Sequence, residues 1–173
     1  MLTSNYWNYR AFIESQYIGS GSNWDKVEIG LKGLTGDTVL FQKTRTDSPM
    51  YNYAGVLGYC GVRSGLNIVV GTGSTDPSVS DYALESDVTT SFINRSISSS
   101  TGAVEAGIKT VLTLSGVNNT DSTITITEYG ITKAIVTANT STTPVLFLRD
   151  ILSEPIVVPP GGGFTLPIEW VES

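Results

Sequence analysis

The chain contains no histidine among its 173 residues. Histidine is the most frequent general base in enzymes, the usual partner of a serine or cysteine nucleophile, and the most frequent zinc ligand. Its absence argues against the commonest hydrolase mechanisms and the commonest zinc sites. We therefore expect a protein that is not an enzyme.

Cysteine is nearly absent as well, since Cys60 is the only one in the chain. A single cysteine cannot form a disulfide within the chain, and an isolated cysteine usually behaves as a small apolar side chain. We expect Cys60 to have a structural role and not to act as a nucleophile.

Charge is scarce, because Asp, Glu, Lys and Arg make up 15% of the chain and leave a formal net charge of −6. The basic residues form no patch of the kind that nucleic-acid phosphates require, so no nucleic-acid partner is expected. Serine and threonine supply the polarity instead. A hydroxyl-rich, weakly charged surface favours lateral contacts with neighbouring proteins, because little charge must be desolvated when it is covered.

Long apolar runs are also missing, and no stretch approaches the roughly 20 apolar residues of a membrane span. The opening MLTSNYWNYR lacks the apolar core of a signal peptide. We expect a protein that is made in the cytoplasm and has no membrane partner.

The stretch LNIVVGTGSTD (66–76) combines an apolar strand with Gly71 and Gly73. A dinucleotide-binding motif needs a third glycine where this chain has Asp76, and a P-loop needs a lysine that is missing here. Several carboxylates downstream would also repel a phosphate. The pattern predicts a glycine-bearing turn at a strand end, where a positive φ costs glycine nothing.

Residues 1–18 are predicted to form an aromatic N-terminal arm. Tyr6, Tyr9, Ile13 and Tyr17 are spaced to line one face of a short helix, with Ser4 or Asn5 as its cap. Two interpretations remain open. The aromatic side chains cover the edge of this domain, or they dock on a neighbouring subunit.

Residues 19–173 are predicted to form one domain. Alternating charged and apolar residues predict a strand over 24–34, and Thr35-Gly36-Asp37 is typical of a hairpin turn into a second strand over 38–46. Residues 47–65 predict a long loop with partly buried tyrosines. In the Ser-rich stretch 96–102 the apolar content falls.

The strand pattern becomes clear again from Ala106. Strands are predicted over 109–117, 123–138 and 144–152, and the segment 118–122 predicts a turn. The alternation changes phase after Gly130, which indicates a bulge or bend. In the last strand Phe164, Leu166, Ile168 and Trp170 share one face, while Pro167 favours a position at a sheet edge.

Regularly spaced strands with almost no helical pattern predict an all-β fold. The specific expectation is an antiparallel β-sandwich, jelly-roll or immunoglobulin-like, with an N-terminal aromatic arm or short helix.

The acidic loop that follows Gly71 offers carboxylates at Asp76, Asp81, Glu85 and Asp87. Calcium prefers such oxygen ligands, so these four residues are calcium candidates, although their spacing matches no EF-hand. The alternative is a solvated acidic loop that Tyr82 and Leu84 anchor. No other cofactor is predicted.

Glu128 shares the inward face of its strand with Ile124 and Ile126. A buried carboxylate needs a partner, and Arg149 in VLFLRDIL is the natural candidate, with Lys133 as the second choice. We expect a structural ion pair between Glu128 and Arg149.

A resemblance rests on the order GTGSTDPSVSDYALES (71–86), NNTDSTITITEYGI (118–131) and VLFLRDILSEPIVVPPGGGFTLPIEWV (145–171), together with the opening MLTSNYW. In these features the chain resembles small accessory virion proteins of tailed bacteriophages. Those proteins often show a Gly-X-Gly turn with a downstream Asp-Tyr-X-Leu, a Thr/Ile strand leading to Glu-X-Gly-Ile, an Arg-Asp pair, and a Pro-Gly turn before the last strand. Residues 19–65 have no counterpart in it.

The resemblance implies a non-enzymatic virion structural protein made in the host cytoplasm, most simply a capsid-decorating or cementing protein, with other virion proteins as partners. We expect a cyclic homo-oligomer, most simply a trimer. The expected interface residues are the following aromatic side chains: Tyr6, Trp7, Tyr9, Phe12, Tyr51, Tyr53 and Tyr59. The alternative is a tail- or fibre-associated module that binds another virion protein, or one that stacks Trp24 and exposed tyrosines on host glycan.

Overall fold

Antiparallel strands make up most of the chain in the computed structural model, which describes residues 1–9, 27–43, 66–105, 107–136 and 142–172. The strands in chain order are β1 (Val27–Lys32), β2 (Thr38–Lys43), β3 (Leu66–Gly71), β4 (Phe92–Val104), β5 (Gly107–Asn118), β6 (Ile124–Val136), β7 (Thr142–Val158) and β8 (Gly163–Glu172). Residues 4–9 are helical, and Thr89–Ser91 form a short 3-10 helix. The predicted all-β class with a short N-terminal helix is confirmed.

The predicted N-terminal hairpin is present as β1 and β2, which pair from Val27 with Lys43 to Lys32 with Thr38. The turn between them contains Gly36 at φ 85°, a left-handed conformation that glycine adopts without strain. The predicted turn residues therefore connect these two strands.

The other six strands form two three-stranded sheets, in the orders β3-β6-β7 and β4-β5-β8. The chain changes sheet between β3 and β4, between β5 and β6, and between β7 and β8. Asn118 closes the β5–β6 turn by donating to the carbonyls of Ser122 and Val158 at 2.8 and 3.0 Å. Gly161, at φ 68°, lies in the Pro-Gly turn before β8.

Two predictions about side-chain alternation are confirmed. In β8, Phe164, Leu166 and Ile168 are buried, and Pro167 is exposed on a strand that pairs, among the described strands, only with β5. The side chain of Trp170, the fourth predicted member of the buried face, lies outside the described residues. In β6 the buried positions change phase at the predicted place: they are even-numbered from Ile126 to Gly130 and then include Ile131.

β4 covers the Ser-rich stretch that has little apolar content. Its residues from Ser98 to Val104 are all exposed, so both of its faces are open there and no alternation marks the strand in the sequence. Pairing with β5, from Ser96 with Ser115 to Val104 with Gly107, holds this segment extended. The strand therefore depends on its neighbour and not on a buried face of its own.

One apolar cluster joins both three-stranded sheets, the hairpin and the N-terminal helix. From β3-β6-β7 it includes Val70 and Ile126, and from β4-β5-β8 it includes Leu114 and Phe164. The arrangement of the two sheets as a jelly-roll or immunoglobulin-like sandwich stays a prediction.

The N-terminal residues cover the outer edge of β7. Leu2 bridges to Leu148, and the Thr3 amide donates to the Phe147 carbonyl at 2.9 Å. The Asn5 side chain donates to the Lys32 carbonyl and accepts from the Lys32 amide, both at 2.7 Å, which ties the helix to β1. The helix begins at Ser4, so the predicted caps Ser4 and Asn5 lie inside it, and the Thr3 carbonyl accepts from the amides of Tyr6 and Trp7.

Tyr6 and Tyr9 pack on Phe147 of β7, with ring centroids 6.1 and 5.3 Å away. They are only 6% and 3% exposed, so their assignment to an interface is corrected to a role in the core. Trp7, on the other face of the helix, is 49% exposed. Tyr6 and Tyr9 thus follow the first interpretation, in which the aromatic side chains cover the edge of this domain, whereas Trp7 is exposed to solvent.

Among the described segments, no helix has the length and apolar character needed to cross a membrane.

Candidate functional site

The acidic loop (residues 71–88) leaves the sheet at the end of β3 and returns beside the same strand. At its neck Gly71 bridges to Asp87, and the Thr72 amide donates to the Ser86 carbonyl at 2.9 Å. The Val88 amide then donates to the Val70 carbonyl at 3.0 Å. The loop is therefore closed at its base and lies over residues of β6 and β7.

Arg149 of β7 stands at the centre of this loop's contacts. Its Nε donates to Glu128 Oε2 at 2.8 Å, and its Nη1 donates to Asp81 Oδ2 at 2.9 Å. Its Nη2 donates to the Thr75 carbonyl at 3.1 Å and lies 3.6 Å from Glu85 Oε2. The side chain is 4% exposed. Three carboxylates thus converge on one guanidinium; we call Arg149, Glu128, Asp81 and Glu85 the arginine cluster.

Glu128 is the completely buried member of the arginine cluster, at 0% exposure. Besides Arg149, it accepts hydrogen bonds from the amides of Gly73 and Ser86 through Oε1, at 3.0 and 2.8 Å, and from the Glu85 amide through Oε2 at 3.2 Å. Both oxygens are satisfied, as a buried carboxylate requires. The residue pair expected from the sequence is in contact here, and the carboxylate also binds both ends of the acidic loop.

Glu85 holds the turn that follows Gly73. Its Oε2 accepts from the amides of Ser74 and Thr75 at 2.8 and 2.9 Å, and from the Thr75 hydroxyl at 2.8 Å. The hydrogen bonds from Thr75 and Ser74, aided by the charge of Arg149, lower the pKa of this carboxyl below its usual value.

The charge state of Arg149 is set by opposing effects. Burial by itself would lower the pKa of the guanidinium, but hydrogen bonds and charge from Asp81 and Glu128 raise it above its usual value. The guanidinium is therefore permanently charged.

Gly71 and Gly73 have a different role from the one the sequence predicted. Neither is among the described glycines with a positive φ, which are Gly36 and Gly161. A Cβ on Gly73 would instead lie 2.5 Å from Glu128 Oε1 and 2.5 Å from Glu85 Cβ. Glycine is needed here because the loop backbone approaches the buried carboxylate closely.

The calcium prediction is corrected by the positions of its four candidates. Asp81 and Glu85 face Arg149, Asp87 accepts from the Thr89 amide at 2.7 Å, and Asp76 is exposed without joining them. Within the described segments no three Asp, Glu or Cys residues are placed to hold a metal ion. The cation at the centre of the acidic loop is a guanidinium.

The arginine cluster is suited to holding structure and poorly suited to acid–base chemistry. A general acid needs a carboxyl whose pKa is raised toward the working pH, whereas the pKa of Glu85 is lowered. Arginine does not give up its proton in proteins. The cluster therefore fastens the acidic loop to two neighbouring strands.

Two regions of exposed surface remain as candidates for contact. The first comprises exposed apolar side chains of two neighbouring elements: Trp7 of the N-terminal helix, at 49%, and Val79 and Tyr82 of the acidic loop, at 55% and 42%. The Val79 carbonyl accepts from the Ser4 amide at 2.6 Å, so the acidic loop meets the start of the N-terminal helix. The second is β4 from Ser98 to Val104, where every residue is exposed.

Several predicted interface residues lie outside the described residues: Phe12, Tyr51, Tyr53 and Tyr59, together with Trp24 and Cys60. Their interface and structural roles stay predictions.

The contact of Asp81 and Glu85 with Arg149 was missed in the sequence. The sequence did contain a signal for it. Arg149 lies inside the apolar run VLFLRDIL, so its guanidinium is expected to be buried, and its several N–H donors then need more than one acceptor. The acidic loop is the richest nearby source of carboxylates, but nothing in the spacing places it over β7.

Comparison of the chain with protein-family models, with curated proteins and with solved structures found no match.

Proposed function

We propose that this chain is a non-enzymatic structural protein of a tailed-bacteriophage particle, and that it binds the assembled capsid as a decorating or cementing protein. The observation that carries the proposal is the exposed, nearly uncharged surface of β4. From Phe92 to Val104 the only charged residue is Arg95, and hydroxyl side chains dominate the exposed part. Such a surface loses little hydration energy when a neighbouring protein covers it.

The arginine cluster supports the same proposal. It uses the loop's inner carboxylates to fix the backbone of the acidic loop, so the loop becomes part of a stiff body. Recognition by a preformed surface avoids the entropic cost of ordering a loop on binding. A rigid body is what a protein that reinforces a shell requires.

Reinforcement follows from mass action. A protein that binds only the assembled shell stabilises that state and not the free subunits. We propose other virion proteins as the partners, a homo-oligomer as the bound form, and Trp7 with Val79 and Tyr82 as the apolar contact. Synthesis in the host cytoplasm precedes attachment.

Imaging tests the location. Gold-labelled antibodies against the purified chain should decorate the capsids of particles made by the phage genome that encodes it, at positions repeated with the symmetry of the shell. Particles that carry no label, while the protein is abundant in the infected cell, would contradict the proposal.

Reconstitution tests the mechanism. Purified chain added to capsids assembled without it should co-sediment with them and raise their temperature of disruption. Trp7→Ala should weaken this binding, whereas Val157→Ala, which removes an exposed apolar side chain from the far part of β7, should not. Equal binding by both variants would remove Trp7 from the contact.

A second candidate function is recognition of host glycan. The exposed rings of Trp7 and Tyr82 favour it, because aromatic faces stack on sugar rings. A glycan array on the purified chain, repeated with Trp7→Ala and Tyr82→Ala, distinguishes the two functions. Reproducible binding that both variants lose would favour the glycan module.

A further inference from the structure

The sheet edges of this chain differ sharply in how they are covered. Exposed edges carry unpaired backbone amides and carbonyls and invite another strand, so proteins usually cover them, charge them or interrupt them with proline. The two three-stranded sheets have four outer strands: β3, β7, β4 and β8.

The outer edge of β3 is closed by side chains and backbone of its own domain. The Val70 amide donates to Thr89 Oγ1 at 2.9 Å, and its carbonyl accepts from the Val88 amide at 3.0 Å. The Ile68 carbonyl accepts from Arg95 Nη2 at 2.6 Å. A strand of six residues with these partners offers no free ladder.

The outer edge of β7 is closed between Val145 and Arg149 by the chain's first residues and by the hairpin, and farther along it carries Glu154 and Pro155, which discourage pairing. Leu2 bridges to Leu148, and Gly33 bridges to Val145. The Phe147 carbonyl accepts from the Thr3 amide.

The outer edge of β8 is open in the described structure but carries the features that discourage pairing. Pro167 lacks an amide hydrogen, and Glu169 adds a charge that is only partly offset by Lys109, 2.6 Å away. An acidic, proline-containing edge is a poor template for another strand of an acidic protein.

β4 differs from all three. It runs for 13 residues without a proline, its irregularity lies near its start between Ile93 and Ser96, and no described segment pairs with its outer edge from Ser96 to Val104. The segment Ser96–Val104 contains no charged residue, and all its members except Ile97 are exposed. Within the described residues, this segment is the unprotected edge of the two three-stranded sheets; we call it the open edge.

We propose that the open edge pairs antiparallel with the open edge of a second copy of this chain, about a two-fold axis. In a second copy the edges of β3 and of β7 at residues 145–149 are covered, and those of β8 and of the rest of β7 carry proline and charge. Among the edges of the two three-stranded sheets, the same segment is therefore the available partner. An antiparallel two-fold contact sets residue i of one copy against residue j of the other and residue j against residue i, and this neutral segment brings no like charges together despite the net charge of −6. The inference goes beyond the proposed function, because it concerns the backbone edge of β4, whereas the proposed function concerns the exposed side chains on the strand's faces. It holds or fails whether or not the protein binds a capsid.

Sedimentation velocity over a wide range of concentrations tests the pairing. The wild-type chain should shift from the mass of one chain to the mass of two as its concentration rises. Ser98→Lys combined with Ser100→Lys should abolish the shift, because it places four ammonium groups across the two-fold axis. The matched control is Thr165→Lys, which adds a lysine at an exposed position of β8 in the same sheet and should leave the shift unchanged.

Hydrogen exchange on the wild-type chain gives a second readout that does not depend on a variant folding. Amides of Ser96–Val104 should gain protection as the concentration rises, while those of Thr165–Glu169 should not. The proposal is overturned by a chain that stays monomeric at every concentration. It is equally overturned by an oligomer that the double lysine variant leaves intact, by protection that appears only elsewhere, or by open-ended polymers, which a closed two-fold contact does not form.

Discussion

At the scale of single residues, the buried guanidinium of Arg149 is the most consequential group in the molecule. Removing one partner of a buried ion pair leaves an uncompensated charge, which typically costs about 3–5 kcal/mol. We expect Arg149→Met to lower the free energy of unfolding by that amount, because Glu128 stays fully buried without its cation. Urea unfolding followed by circular dichroism measures the change.

Lys109→Met is the matched control for this substitution. Lys109 and Glu169 form an ion pair at 2.6 Å, but their side chains are 38% and 53% exposed, and such pairs contribute about 0–1 kcal/mol. If both substitutions cost the same, the arginine cluster is not the stabilising centre that its burial indicates.

Gly73 is the second residue whose replacement has a sharp expected outcome. In Gly73→Ala the new methyl group would overlap Glu128 Oε1 and Glu85 Cβ, and forced displacements of this kind cost about 1–3 kcal/mol. Gly102→Ala is the control, because a Cβ there meets no atom within 4 Å and should change stability by less than about 1 kcal/mol. Thermal unfolding of both variants compares them. Equal midpoints for the two variants would show that the loop backbone does not press on Glu128.

At the scale of elements, the acidic loop should loosen in acid. Glu85 has a pKa below its usual value of 4.5 in the folded chain, so folding favours its ionised form. The stabilisation is therefore present above pH 4.5 and is lost as the pH falls from there through the lowered pKa. NMR should show the amides of Ser74 and Thr75 shifting with a midpoint below pH 4.5, because both donate to this carboxylate.

The Gly161 amide is the internal control for that titration, because it donates to the Asn118 carbonyl and to no carboxylate. In Glu85→Gln the two loop amides should lose this titration while Gly161 behaves as before. A midpoint above pH 4.5 would mean that the folded chain disfavours the ionised form of Glu85, which would contradict its stabilisation by these hydrogen bonds.

The elements differ in how well the sequence predicted them, and the difference has a physical cause. β8 and the β1–β2 turn were predictable because alternation at Phe164, Leu166 and Ile168 and the glycine at Gly36 are local patterns. β4 was not, because it has no buried face from Ser98 onward and, within the part of the chain that the structure describes, pairs only with β5. A strand that is held extended by its neighbour needs no period-two alternation of apolar residues, so its sequence does not predict it.

The same distinction applies to the candidate site. The inward direction of Glu128 follows from period-two alternation, and the need for a cation follows from its burial. The convergence of Asp81 and Glu85 on Arg149 joins residues more than 60 positions apart, and only the folded loop places them together. The need for glycine at Gly73 is likewise visible only in the folded structure. Its φ is not positive, and a side chain is excluded because the backbone lies against Glu128.

At the scale of the whole molecule, one apolar cluster should make the sheets, the hairpin and the helix unfold together. The cluster contains Leu114 of β5, Val70 of β3, Leu31 of β1 and Tyr6 of the helix. Leu114 is fully buried, and a buried Leu→Ala change typically costs about 2–5 kcal/mol. We expect Leu114→Ala to lower the opening free energy of amides in both three-stranded sheets by the same amount, although it alters only one of them.

Native-state hydrogen exchange measures this residue by residue, with Ile131 reporting on one sheet and Leu112 on the other. Val157→Ala is the control, because Val157 is 63% exposed and lies outside the cluster, so neither sheet should respond to its loss. If Leu114→Ala weakens β4-β5-β8 while Ile131 keeps its wild-type protection, the two sheets are separate cooperative units. The shared core would then not couple the two sheets, and the rigid body on which the proposed capsid binding relies would exist only after the partner is bound.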